Sequence, residues 1–225
     1  MDNKFPLKKI PGLKTGSFHR EGILHFLIPN SRPRQADLEL LTSEERNIYS
    51  RLGEKRKTEF FTGRAACRML MRFAGTYPET DKPNWGRASA EEYFRPLHFE
   101  DHRGKRYYIS ISHDKIYSIA CAYPAKIGVD IQRITDRLEK ISGKFINPRE
   151  KTTAHSDPAL STLLWTLKES CAKLYGFSLF EAFRRITALE IKQDRILYLR
   201  DGIPGTAVYQ QTGSHIVCAA AEDLR

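Results

Sequence analysis

Three runs of the chain carry side chains that could do chemistry together: Ser110-Ile111-Ser112-His113, Ile127-Gly128-Val129-Asp130-Ile131-Gln132, and Trp165-Thr166-Leu167-Lys168-Glu169-Ser170-Cys171-Ala172-Lys173. Hydroxyl, imidazole, carboxylate, amide and ammonium groups of this kind suit an anion and a hard cation held side by side. Residues 107–113, 116–123 and 127–132 read as strands, with Asp114-Lys115 and Pro124-Ala125-Lys126 as turns. In an antiparallel meander the first and third of these strands would run the same way. His113 would then lie about 10 Å from Asp130 and Gln132, two strand spacings away, a gap that a pyrophosphate and a metal ion could bridge.

Period two sets the faces of the third strand. Ile127, Val129 and Ile131 point into a core, which leaves Gly128, Asp130 and Gln132 on the opposite face. A carboxylate and an amide oxygen at i and i+2 suit a cation that takes oxygen ligands and keeps several waters, as Mg²⁺ does. The competing reading places Asp130 on a solvated strand end.

The third run reads as a helix, with Leu164, Leu167, Cys171 and Leu174 forming a buried stripe. Glu169 and Lys173 fall opposite that stripe and, four apart, can pair. Such an exposed pair contributes only about 0.3–0.5 kcal/mol, so alone it reads as surface decoration. It gains meaning if the polar strand face and the polar helix face meet in one cleft.

Ser112-His113, then Gly128-Val129-Asp130, then Trp165-x-x-Lys168-Glu169-x-x-x-Lys173-x-x-Gly176-x-x-Leu179 resembles the signature of the 4′-phosphopantetheinyl transferases, in particular the larger, monomeric, surfactin-synthetase-activating type. A looser fourth block, Gly63-Arg64-Ala65-Ala66-Cys67-Arg68-Met69-Leu70, is similar to the family's first helix. The resemblance implies an α/β (α+β) fold of two pseudo-twofold-related halves, each a small sheet packed on a long helix, with the active site at their interface. The division is expected after residue 113, giving halves 1–113 and 114–225.

It also implies a chemistry. The 4′-phosphopantetheine arm of coenzyme A would move to a serine of an acyl or peptidyl carrier protein, with release of 3′,5′-ADP. Asp130, Gln132 and Glu169 are the expected Mg²⁺ ligands, and Glu169, Lys173 and Asp130 the expected catalytic groups. Glu169 or a water would take the serine proton, and Lys173 would stabilise pyrophosphate charge. Ser112, His113 and Lys173 would contact the coenzyme phosphates, with Lys105, Arg46 and Arg56 at the 3′-phosphate. Residues 133–161 correspond to the part of the family that helps to dock the carrier.

Two positions depart from the family's pattern. Gln132 stands where many members carry a second acid, which removes one negative charge from the metal site. Asp114 follows His113 where a small or neutral residue is more common. A carboxylate beside a phosphate site is unfavourable unless it turns away.

The elements that must position these residues follow from the rest of the chain. At 225 residues, 40% hydrophobic and 28% charged, it has the composition of a soluble globular protein with enough chain for a sizeable core. A net charge of +10 favours an anionic partner: nucleic acid, a membrane surface, a phosphorylated small molecule or an acidic protein. The four cysteines are widely spaced, have no C-x-x-C pair, and read as buried free thiols of a reducing compartment.

Residues 1–18 read as loosely ordered, and 23–28 as the first core strand. That run is too short for a signal or spanning segment, so a cytoplasmic protein is expected. Thr42-Ser43-Glu44-Glu45 reads as a helix start, and 54–74 as a long core helix with Lys55, Arg56, Lys57, Arg64, Arg68 and Arg72 at helical spacings. Those cations read as a solvated face, or one or two of them as a phosphate clamp.

A long connection follows, with one short helix near 88–94. Strands are expected over 186–191, 195–199, 206–210 and 215–221, with turns at Asp201-Gly202 and Thr212-Gly213. No G-x-S-x-G elbow accompanies Ser112, which argues against a serine hydrolase. The alternative of a different class is a non-catalytic basic protein that binds nucleic acid or carrier proteins, for which Tyr107 and Tyr108 could stack on bases, although no nucleic-acid motif is present.

Overall fold

Thr42 caps the first helix, α1 (Ser43–Arg51), by accepting from the Glu45 N–H, while the Glu45 carboxylate accepts from the Thr42 N–H. This is the reciprocal box that Thr-x-x-Glu encodes. The computed structural model describes residues 14–18, 22–73, 97–101, 103–150 and 157–224. The expected helix near 88–94 lies outside the described residues, as do residues 1–13.

The first sheet holds β1 (Lys14–Phe18), β2 (Ile23–Pro29), β3 (Leu97–Glu100), β4 (Arg106–His113) and β5 (Tyr117–Tyr123) in the order β1-β2-β5-β4-β3. The second holds β6 (Ile127–Arg133), β7 (Ile186–Lys192), β8 (Arg195–Arg200), β9 (Ile203–Thr212) and β10 (His215–Ala221) in the order β6-β10-β9-β8-β7. All of the pairings are antiparallel.

Each sheet covers one long helix. α2 (Glu54–Phe73) buries Phe61, Ala66, Cys67 and Leu70 against β2, β4 and β5. α4 (Pro158–Tyr175) buries Leu163, Leu167, Cys171 and Leu174 against the second sheet. Asp157 caps α4 by accepting from the N–H groups of Ala159 and Leu160, Pro158 takes the first helical position, and Gly176 ends the helix at φ +69°. Two short helices, α3 (Asp136–Lys140) and α5 (Leu179–Arg185), flank α4. Ile23, Leu27, Ile119 and Cys121 of the first sheet meet Ile127, Val129, Ile131, Val208, Val217 and Ala219 of the second in a core between them. The layers therefore run helix, sheet, sheet, helix, which is the mixed α/β plan of two similar halves expected from the sequence.

Three local expectations change. The strands over 106–133 are not one meander: β4 and β5 pair within the first sheet, and Pro124-Ala125-Lys126 carries the chain across to β6, an edge strand of the second. The crossing therefore falls after β5 rather than after residue 113, because β5 completes the first sheet between β2 and β4. Residues 14–18, expected to be loose, pair with β2 as β1. Among the described residues no helix is long and apolar enough to cross a membrane.

The basic face of α2 is largely neutralised. Buried Glu45 takes Arg64 and Arg68, Glu54 takes Lys57, and Glu59 takes Lys55 and Arg56. All four cysteines are free and buried. Burial pushes the Cys67 and Cys171 thiols up to about 12, so they are inert at neutral pH.

Candidate active site

Gly128 decides how closely β6 approaches α4. A Cβ built there would lie 2.0 Å from the Ser170 carbonyl oxygen and 2.6 Å from the Leu174 nitrogen, so strand and helix touch backbone to backbone. Gly128→Ala must push them apart and should cost about 3 kcal/mol, read as a lower urea midpoint. Gly53→Ala is the control, since a Cβ there meets nothing within 4 Å.

That contact brings the polar face of β6 onto the polar face of α4. Asp130, 1% exposed, accepts at Oδ1 from the Ser112 hydroxyl at 2.6 Å and from the Lys173 ammonium at 3.0 Å. Lys173 also donates to the Val129 carbonyl at 2.9 Å, and Ser110 Oγ accepts from the Val129 N–H at 3.0 Å. The free edge of β6 is thus served by two serines of β4 and a lysine of α4. Ser112 and Asp130 touch because β6 belongs to the other sheet and lies across β4, so the single-sheet geometry from which the gap between His113 and Asp130 was expected does not form. Lys173 turns to Asp130 rather than to Glu169, so the surface pair expected between Glu169 and Lys173 does not form.

Glu169 is held from two sides. The Trp165 indole N–H donates to Oε2 at 2.8 Å and the Gln132 amide donates to the same oxygen at 3.4 Å. Asp130 Oδ2 is buried without a hydrogen-bond partner among the described residues. Burial pushes the Asp130 carboxyl up to about 7, Lys173 pulls it down, Glu169 adds to the rise, and the Ser112 hydrogen bond opposes it. Glu169 and Asp130 therefore feel one another's charge, and Lys173 offsets part of it.

These donors fit a hard divalent ion: an orphaned carboxylate oxygen, a second carboxylate, and an amide oxygen. Among the described residues no cluster of three or more His, Cys, Asp or Glu groups forms, since the third member of this set is Gln132.

His113 alternates to the other face of β4 from Ser112 and meets α2. Its Nδ1 lies 3.8 Å from Glu59 Oε2, which also accepts from Arg56 at 3.0 Å. Burial lowers the His113 pKa, Glu59 opposes this, and Lys173 and Arg56 lower it further. Arg56, with its side chain 67% exposed, therefore stands near His113. Arg46 instead donates to the Leu41 carbonyl at 2.8 Å.

Lys105 precedes β4 at the end opposite Ser112 and His113, where it stacks on Tyr107. With about 3.4 Å per residue along a strand, Lys105 is far from this cluster. The Ser112 hydroxyl hydrogen is engaged by Asp130. Asp114 does turn away from His113, and its Oδ1 accepts from the N–H groups of Ile116 and Tyr117.

Two groups beside the site had no assigned role in the sequence. Lys168 and Glu150, 0% and 1% exposed, pair at 2.7 Å. Lys168 also donates to the Phe145 carbonyl, and Glu150 accepts from the Ala188 and Asn147 N–H groups. They tie α4 to the segment that follows α3. The signal was available: Lys168 follows Leu164 by four and Leu167 by one, which places an ammonium beside the buried stripe, where it must find an acid. Trp165 was legible only as a motif letter, because its bond to Glu169 depends on a rotamer.

No curated protein matches the chain. The segment that holds β6, α4, Asp130 and Glu169, but neither Ser112 nor His113, does match a family model. The match is to the 4′-phosphopantetheinyl transferase superfamily and spans residues 126–220, somewhat less than half of the chain.

Proposed function

We propose that this protein transfers the 4′-phosphopantetheine group of coenzyme A to a serine hydroxyl of an acyl or peptidyl carrier protein and releases 3′,5′-ADP. The observation that carries this reading is Asp130, buried at the seam between Ser112 of one sheet and Lys173 of the other half's helix, with Oδ2 left open and Glu169 close by. In the reaction the serine oxygen forms a bond to the phosphorus of the arm and the bond from that phosphorus to the leaving 3′,5′-ADP breaks. The serine proton passes to Glu169 or to a water. Trp165 and Gln132 both hold Glu169 by Oε2, so Oε1 would be the oxygen that takes this proton.

Positioning and charge neutralisation supply most of the rate in phosphoryl transfer. Asp130, Gln132 and Glu169 would hold Mg²⁺, which when bound neutralises pyrophosphate charge. Lys173 adds a fixed positive charge, and neutral His113 with Arg56 offers N–H donors to the phosphates. A basic chain of net charge +10 suits both a polyanionic coenzyme and an acidic carrier.

The test is direct. Coenzyme A, Mg²⁺ and an apo carrier protein are mixed with the enzyme, and the carrier is weighed by mass spectrometry. A gain of one phosphopantetheine is expected, with the rate reduced by about 10²-fold or more in Glu169→Gln. No gain with several carriers, together with a salt-sensitive shift of random DNA, would replace this reading with that of a basic binding protein.

A further inference from the structure

Asp114 and His215 come from different halves and meet beside the cleft. Asp114 closes β4 directly after His113, and His215 opens β10 opposite Arg133, one residue pair from Gln132. Asp114 Oδ2 lies 2.8 Å from His215 Nε2, with the side chains 8% and 4% exposed. Neither atom makes a hydrogen bond among the described residues, so this close approach is the polar contact that each has. Each is therefore the other's sole polar contact in a place that water barely reaches, which makes the pairing stringent.

Asp114 is held by its own half, and His215 by its own half and by a ring of the other. Asp114 is fixed by its Oδ1 turn, by its N–H to the Tyr117 carbonyl, and by Asn30, whose amide donates to the Asp114 carbonyl at 2.8 Å. Asn30 in turn joins a buried network with Thr62 of α2 and Ser118 of β5. On the other side, the His215 ring packs edge-on to Tyr117 at 5.0 Å, and the neighbouring Ser214 carbonyl accepts from the Ile134 N–H just beyond β6. A link between two rigid frames sets the distance between whatever lies next to it in each frame. Here those neighbours are His113 in one and Gln132, with Asp130, in the other.

We infer that the Asp114 and His215 pair is a positioning clasp that sets the width of the coenzyme pyrophosphate site, so that His113 of the first half and Asp130 and Gln132 of the second act on one bound molecule. This rests on the proposed function and adds to it two residues that touch neither coenzyme nor metal. It also gives a reason for an acid directly after His113: the carboxylate is spent across the seam and does not face the phosphates.

The experiment compares wild type, Asp114→Asn, His215→Gln and the double variant in coenzyme A binding by calorimetry, in kcat and KM for coenzyme A, and in urea midpoint without ligand. Each single variant should remain folded, raise KM and Kd for coenzyme A about tenfold, and leave kcat within about twofold. The double variant should be no worse than the worse single one, in midpoint as in Kd, because both substitutions break the same link. Unchanged Kd and KM in folded single variants, or losses that multiply in the double variant, would overturn the clasp. Wild type that fails to bind coenzyme A at all would overturn the functional reading instead, while the urea-midpoint cycle still reports whether the two residues are coupled.

Discussion

Glu150→Ala will unfold at a markedly lower denaturant concentration than wild type, by about 3 to 5 kcal/mol, the usual cost of leaving one partner of a buried ion pair alone. At this chain length that corresponds to a fall of about 10 °C in Tm. The substitution strands the Lys168 ammonium, which keeps only the Phe145 carbonyl, and it removes the acceptor used by the Ala188 and Asn147 N–H groups. Burial already lowers the Lys168 pKa, and Glu150 is what opposes that shift. Without the carboxylate, Lys168 must lose its proton or draw water into the space beneath α4. Glu150→Gln with Lys168→Met together should recover much of the loss, since an amide still accepts N–H donors and a thioether fills the stem's volume. A loss under about 1 kcal/mol in Glu150→Ala would mean that water reaches the pair.

Asp130→Asn should have the opposite profile, with a stable fold and almost no turnover. The amide oxygen can still accept from Ser112 and Lys173, and the cost of desolvating a carboxylate disappears. Transfer should fall by about 10² to 10³-fold, the effect of removing one electrostatic group from a phosphoryl or acyl transfer site. The pH dependence has a definite sign. Asp130 binds its proton more tightly in the folded state, with its pKa pushed up to about 7 from 3.8. Its contribution to stability is therefore fully present below the unfolded value near 3.8 and is lost as pH rises through about 7. Wild type without divalent ions should lose stability from pH 5 to 8 relative to Asp130→Asn, measured by urea midpoints across that range. Mg²⁺ should reverse the trend for wild type alone, because the ion binds the deprotonated carboxylate. A parallel pH profile in the two proteins would show that Asp130 does not titrate there.

What could be read in the chain beforehand follows from range of interaction. Helix α1 was legible because Thr42 and Glu45 act three residues apart, and α4 because Leu164, Leu167, Cys171 and Leu174 repeat at helical spacing. The faces of β6 followed from strict alternation, and Gly128 now has its reason in the close approach of Ser170. The partition of strands between two sheets was not legible. A short turn such as Pro124-Ala125-Lys126 can close a hairpin or carry the chain to another layer, and only the apolar face shared by Ile119, Cys121, Val129 and Ile131 decides between them.

Side-chain partners were harder still. Glu169 and Lys173 have the spacing of a surface pair, yet Lys173 reaches a buried carboxylate 43 positions earlier in the chain. Long-range electrostatics in a dry seam outweigh a few tenths of a kcal/mol between exposed neighbours. Arg64 and Arg68 looked like free cations until Glu45 was seen buried beside them.

The two serines that serve the edge of β6 also act as a vernier between the sheets. Ser110 and Ser112 alternate with Ile109 and Ile111, which pack on the α2 side. A slip of one position would press isoleucines against the Val129 N–H and the Asp130 carboxylate and turn hydroxyls into an apolar layer. Only one alignment keeps both faces content, so the acid that the chemistry needs is delivered to its place by the docking of the halves themselves.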